Sequence, residues 1–280
     1  MGRIGKTAYL LGVALVSFAF YAQSPANATD ERTVKLDYAV YIGGSETIRI
    51  SFDTALRATD YKMKMSLDGQ GFLNWWFSWS MSAFSEGQMN NGKVMPVRAG
   101  ADSAWNGKQR RTRLTYKDGG PPATLIEPPA ENEDRDVVPP ALRVGARDLA
   151  GAVLAMLTRL EKTQGCDLRE AVFDGRRRYN LVLDQRGHDT IPRNDYSAFS
   201  GKALRCGVKV ERIAGYRRNF EPSRWRSSEG ATLWIGRVFD NIPPVPVRME
   251  LDTRLGGLRA HLVQATLTEG GEIRHLAAAN

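Results

Sequence analysis

Apolar and polar residues alternate with a period of two along most of the chain, which is typical of β-strands with one buried face. The alternation is clearest at residues 47–52 and 61–67, and turn residues such as Gly43-Gly44 and Asp68-Gly69 separate the segments. Further strand-like segments occur at 34–40, 93–97, 111–116, 178–183, 204–213, 232–239, 245–251 and 258–267. Few helical segments intervene, so we predict about ten to fourteen antiparallel strands. The expected fold is mainly β, a strongly curved antiparallel sheet or an open barrel.

One segment departs from this pattern and predicts a long amphipathic helix at residues 148–162. Its apolar residues recur at spacings of three and four, with Gly165 as the stop signal. We expect Val153, Leu157 and Leu160 to face the sheet, because a single helix among strands usually covers an open face or end.

Residues 119–146 are rich in proline and acidic residues, with six prolines and five carboxylates. Proline cannot donate to a strand ladder, and the charge disfavours burial. The segment therefore predicts an exposed loop within a single domain of residues 29–280. A surface insertion and a partner-binding arm are both compatible with this composition.

The N-terminus has the features of a secretory signal peptide. Arg3 and Lys6 precede an uncharged, mostly apolar run at 8–20, and Ala26-Asn27-Ala28 has the small residues of a cleavage site. The run is shorter than the roughly 20 residues needed to span a bilayer, although an uncleaved anchor is the alternative. We expect cleavage near Ala28, a periplasmic location and no transmembrane segment in the mature chain.

The expected export bears on the state of the two cysteines of the chain, Cys166 and Cys206. In an oxidising compartment an even pair predicts a structural disulfide. A redox-active pair usually has two cysteines close in sequence, whereas these lie about 40 residues apart. The presence of only two Cys and three His disfavours a Cys/His zinc cluster and an iron–sulfur centre, and we expect no metal and no cofactor.

The segment after the predicted helix resembles a known family. The resemblance is carried by Gly165-Cys166-Asp167, by the stretch from Ala171 through Phe173-Asp174-Gly175-Arg176-Arg177 to Leu181, and by a second Cys a few strands later. These features resemble domain of unknown function 3108, a family of exported Gram-negative bacterial proteins. The resemblance covers most of the mature chain and implies a periplasmic, mostly-β protein, but no activity.

Two groups of basic residues are candidate anion sites. Arg176 and Arg178 would share one face of a strand leaving the Asp174 turn, where they either stay solvated or bind a carboxylate or phosphate. Residues 202–226 contain eight basic residues against two acidic ones. The candidates in this basic segment are Arg217, Arg218, Arg224, Trp225 and Arg226. The segment predicts contact with anionic lipid or another envelope component rather than nucleic acid, or protection of a strand edge.

Residues 73–84 contain three of the six tryptophans within five positions. Trp75 and Trp79 share one face of either a strand or a helix. They serve either as core filling or as the wall of an apolar ligand pocket.

Enzyme motifs are absent from the sequence: it has no Gly-x-Ser-x-Gly elbow, phosphate-binding loop or dinucleotide fingerprint, and its three histidines are isolated. We therefore name no catalytic residues and favour a non-enzymatic envelope protein that binds a lipid or another amphipathic ligand. The alternative is a hydrolase of an envelope polymer with Asp174 and Asp184 in acid/base roles. A third hypothesis is a scaffold that acts through the proline-rich segment.

Overall fold

The computed structural model describes residues 31–71, 79–117, 119–218, 230–253 and 256–278. The expected signal peptide lies outside these residues. Within them the chain is mainly β, with fourteen antiparallel strands in one unclosed sheet. The strands are β1 (Arg32–Ile42), β2 (Ser45–Leu56), β3 (Asp60–Gly69), β4 (Trp79–Asn90), β5 (Lys93–Trp105), β6 (Lys108–Thr115), β7 (Ala123–Glu127), β8 (Leu168–Phe173), β9 (Arg178–Ile191), β10 (Gly201–Ala214), β11 (Ala231–Gly236), β12 (Val245–Thr253), β13 (Gly256–Glu269) and β14 (Glu272–Ala277).

The pairing of β1 with β13 joins the two halves of the chain. Strands β1 to β7 form a meander on one side of this pair, and β12 to β8 follow in reverse order on the other. The edge strands are therefore β7 and β8, while β14 pairs with the second half of β13. This order matches the antiparallel sheet expected from consecutive period-two segments.

Two helices lie between β7 and β8 in the chain: α1 (Pro140–Arg143) and α2 (Leu149–Thr163). The expected single helix is not confirmed, because α1 forms a second helical turn. Helix α2 begins after Asp148, which accepts a hydrogen bond from the Gly151 amide at 2.9 Å, as an N-cap residue does. It ends at Gln164, which adopts a positive φ of 57°, one residue before the predicted stop at Gly165.

The segment before α2 protects the free edge of β8. The Arg147 amide donates to the Ala171 carbonyl at 2.9 Å, and the Phe173 amide donates to the Arg147 carbonyl at 2.8 Å. The Arg147 side chain reaches the Val94 carbonyl of β5 at 2.9 Å. An uncovered strand edge exposes unpaired backbone groups. The two backbone hydrogen bonds of Arg147 therefore pair some of the backbone groups at the β8 edge of the unclosed sheet.

The prediction of an exposed loop at 119–146 is wrong in part. The segment contains β7, a 3-10 turn (Ala130–Glu133) and α1, and Val138 and Ala146 are buried. Glu133 is buried because it binds Arg135 at 2.7 Å and Arg176 at 3.1 Å. A charged side chain is buried more readily when it is paired with an opposite charge. The composition of the segment does not show that Glu133 has such partners.

The predicted disulfide between Cys166 and Cys206 is present, with a Cα–Cα distance of 6.2 Å and both residues fully buried. It links the turn after α2 to β10. The surrounding core cluster contains Met156, Leu160 and Leu168. Among the described residues, no helix combines the length and apolar character needed to cross a bilayer.

Candidate functional site

An apolar cavity of about 270 Å³ lies between α2 and one face of the sheet. Its walls come from β1, β2, β3, α2, β11, β12 and β13, so residues distant in sequence meet there. We call this space the apolar cavity and the sheet face that lines it the inner face. Ile242 and Pro243, from the connection between β11 and β12, also contact it.

Strand alternation explains why the sheet side of the cavity is apolar. Leu36 of β1 and Ile50, Phe52 and Leu56 of β2 occupy alternate positions and point to the inner face. Ser51 and Asp53, which alternate with them, lie on the opposite face, and Thr54 is the polar residue of β2 that lines the cavity. The period-two pattern of the sequence therefore builds the cavity wall directly.

Helix α2 supplies the other wall through Val153, Leu154 and Leu157. Leu154 is buried, whereas Val153 and Leu157 remain partly exposed although they line the cavity. Val153 and Leu157 therefore face the sheet across the cavity, as expected. Leu160 lies in the core beside the disulfide, and Leu157 packs against the same core while it also borders the cavity. Val153 borders the cavity.

Polar groups beside the cavity are engaged by the protein. The Tyr38 hydroxyl donates to the Pro246 carbonyl at 2.8 Å, and burial raises the pKa of Tyr38. Arg248 is the one charged residue among those in contact with the cavity within the described ranges. Its guanidinium binds Glu250 and lies 4.8 Å from the centre of the Trp234 ring. The cavity therefore offers apolar contact and no uncompensated charge.

A buried polar network stands at the start of α2. The Ser85 hydroxyl donates to the Asp148 carboxylate at 2.9 Å and lies 3.0 Å from the Tyr61 hydroxyl. Burial raises the pKa of Asp148. Ser85 is fully buried, and the other Asp148 oxygen caps the helix, so the arrangement holds α2 in place rather than presenting a nucleophile.

The two carboxylates named for a hydrolase each have basic partners. Asp174 binds Arg177 at 2.7 Å and accepts two backbone N–H groups of its own turn. Asp184 lies 3.0 Å from Arg186. Within the described ranges, no cluster of three or more His, Cys, Asp or Glu residues could hold a metal ion.

Arg176 and Arg178 are held by the protein itself. Arg176 donates to Thr112 and to the carbonyls of Glu127 and Pro128, besides binding Glu133. Arg178 donates to the Leu142 carbonyl at 3.0 Å and to its own neighbours. These contacts favour the structural alternative for the turn, and anion binding by either residue stays a prediction.

The structure places Arg218 against the acidic segment, where it binds Asp136 at 2.8 Å. Arg217 forms an isolated strand bridge with Arg135. Arg224, Trp225 and Arg226 lie outside the described residues, as does Trp75. The structure thus joins Arg217 and Arg218 to residues 134–136, a pairing that sequence spacing does not reveal.

Trp79 opens β4 and pairs in register with Trp105 of β5, and it is not among the residues of the apolar cavity. The residues that do line the cavity were missed as a site because each one looks like ordinary core. The available signal was the concentration of apolar residues on one face of β1 and β2, together with α2.

The comparisons with known proteins bear on the family. The model of the family described as "Protein of unknown function (DUF3108)" matches residues 37–263. The chain belongs to the DUF3108 family. This confirms the resemblance carried by the Cys166 and Phe173–Arg177 region.

The DUF3108 chain is also similar to a solved structure described as a beta-barrel-like protein of domain of unknown function DUF1849 from Brucella abortus. The two share 10% sequence identity at a TM-score of 0.44, over 86% of this chain and 98% of the other. No curated protein matches the chain.

Proposed function

We propose that this DUF3108 protein is a non-enzymatic periplasmic protein that binds the hydrocarbon part of a lipid or another amphipathic ligand. The observation that supports the proposal is the apolar cavity between α2 and the inner face. Partly exposed apolar side chains on both of its walls would gain from burial against a ligand.

The size of the cavity limits the ligand. About 270 Å³ falls just below the roughly 300–1,000 Å³ typical of small-molecule sites. A single hydrocarbon chain or a small ring system fits this volume better than a complete two-chain lipid. The polar part of the ligand would then remain outside the cavity.

The export part of the proposal rests on residues 1–28. Mass spectrometry of protein purified from a periplasmic fraction should give a mature N-terminus at Thr29. Retention of residues 1–28 would point to the anchor instead.

Binding can be tested with N-phenyl-naphthylamine, whose fluorescence rises in apolar surroundings, followed by displacement with a long-chain fatty acid. Leu157→Trp should fill the cavity and weaken the affinity for the dye. Loss of roughly 60 Å² of buried apolar contact, at about 25 cal/mol per Å², corresponds to about a tenfold change in Kd.

Leu149→Trp is the matched control, because Leu149 lies on the same helix, is 41% exposed and does not line the cavity. This variant should bind as the wild type does. Equal loss of affinity in both variants, or no saturable dye binding to the wild type, would refute the proposal.

A further inference from the structure

A continuous row of polar residues crosses seven strands on the sheet face opposite the apolar cavity, which we call the outer face. The strand register places the members of this polar row side by side: Asp37, Ser51, Ser66, Ser82, Asp102, Arg111 and Glu127. Six steps between strands, at about 4.8 Å each, give the row a length of roughly 29 Å.

Strand alternation assigns this row to the outer face. On β2, Ser51 alternates with Ile50 and Phe52, which line the apolar cavity. Residues paired in register lie on the same face, so the assignment extends from Ser51 through the rest of the polar row.

The outer face carries two open depressions along this row, of about 620 and 490 Å³. Both are lined by Ser66, Ser82 and Asp102, and they therefore form one trough. The first extends towards β7 and the second towards β1. A trough that crosses the strands suits an elongated ligand better than a compact one.

Hydroxyl groups in the trough are available to a ligand. The side chains of Ser66, Ser80 and Ser82 make no hydrogen bond to any part of the chain that the structure describes. Each hydroxyl can both donate and accept. Ser51, by contrast, already donates to Asp37 at 2.5 Å.

The charges of the trough nearly cancel. The residues lining the two depressions include five acidic and four basic side chains. Asp102 binds Arg113 at 2.6 Å and Arg111 at 3.1 Å, and Glu127 lies 3.3 Å from Arg111. A polyanion requires a surplus of positive charge, which this face lacks.

Phe84 gives the trough an aromatic surface. Gly100 is its register partner on β5, and a Cβ at Gly100 would lie only 2.8 Å from the Phe84 ring. The glycine therefore makes room for the ring. A sugar has apolar C–H faces and polar edges, so an aromatic ring beside hydroxyls and carboxylates complements it.

We propose that the outer-face trough binds an extended, uncharged, polyhydroxylated chain, an oligosaccharide, through its serine hydroxyls and the Phe84 ring. This site is separate from the apolar cavity and goes beyond the binding of a hydrocarbon chain. The two sites lie on opposite faces of the same strands.

Isothermal titration with hexa-N-acetylchitohexaose and with maltohexaose, both uncharged, tests the site. The wild type should bind at least one of the two saturably. Ser66→Val with Ser82→Val should weaken that binding by about fourfold or more, since each lost hydrogen bond contributes roughly a factor of 2 to 13. Valine is favoured in strands, and Ser66 is partly buried while Ser82 is exposed, so the fold should persist.

Thr115→Val is the matched control, because Thr115 is an exposed β-branched residue of β6 that does not line the trough. Thr115→Val should leave oligosaccharide binding unchanged. Dye binding in the apolar cavity should be the same in the wild type, the double serine variant and Thr115→Val. Absence of saturable binding to both hexasaccharides overturns the proposal. Tighter binding of dextran sulfate than of either neutral hexasaccharide also overturns it.

Discussion

Loss of the disulfide should lower the stability of the fold by an amount that its position allows us to work out. Cys166 and Cys206 close a loop of 40 residues that contains β8, β9 and the first part of β10. The chain-entropy treatment of such a loop gives about 4 kcal/mol at 25 °C. For a chain of this size, that corresponds to a Tm lower by about 8–16 °C.

The double variant Cys166→Ala with Cys206→Ala isolates this effect, and urea unfolding with and without reductant measures it. Both cysteines are fully buried, so reductant should act only once the chain opens. Reduced wild type and the double variant should then agree to within about 1 kcal/mol, which allows for the smaller alanine side chains. A loss of less than about 1 kcal/mol in both cases would refute the argument that the disulfide stabilises the fold.

Three further substitutions test the account of the core. Burial raises the pKa of Asp148, so its contribution to stability is present below its unfolded pKa of about 3.9 and is lost as the pH rises through the folded value. The stability of Asp148→Asn relative to wild type should therefore increase between about pH 3 and about pH 7 in urea unfolding; a constant difference would contradict this. Glu133→Ala removes the carboxylate partner of Arg135 and Arg176 and should lower the free energy of unfolding by about 3–5 kcal/mol in the same assay. Loss of the more exposed ion pair between Arg49 and Glu46 should lower it by less than about 1 kcal/mol. Leu160→Ala should cost about 2–5 kcal/mol and more than Leu157→Ala, because Leu160 packs in a closed core and Leu157 borders the cavity; the reverse order of the two Tm values would count against the cavity.

Much of the fold could be predicted from local patterns in the sequence. Alternation at 47–52 and 61–67 predicted β2 and β3. The turn before β2 falls at Gly43-Gly44 as predicted, whereas the turn predicted at Asp68-Gly69 is wrong, because both residues pair with β2 as part of β3. The helix at 148–162 is observed at Leu149–Thr163, shifted by one residue at each end. These features depend on the periodicity of neighbouring residues and are therefore visible in one sequence.

Long-range pairing could not be predicted from local sequence patterns. Neither the contact of β1 with β13 nor the burial of Glu133 among arginines leaves a local trace. The surroundings of the apolar residues of α2 could not be predicted either. Val153 and Leu160 have the same spacing pattern, yet one borders a cavity and the other a packed core, because the sheet leaves space beside only part of the helix.

Candidate site residues were harder still to predict. Arg176 and Arg178 stand out in sequence because they are charged and two positions apart, but their guanidinium groups bind backbone carbonyls that other segments bring to them. Leu36 and Phe52 do not stand out, since apolar strand residues usually pack against neighbours. Their role follows only from the gap that the fold leaves in front of them.

The most direct test of the central claim is to locate a bound hydrocarbon chain. A stearate that carries a nitroxide near its methyl end can be added to protein with labelled leucine and valine methyl groups, and relaxation of each methyl signal measured. Signals of Val153 and Leu157 should broaden strongly, while those of Leu114 and Val138, which belong to a separate core cluster, should stay sharp. Broadening confined to exposed methyl groups, or equal at all positions, would contradict binding in the apolar cavity.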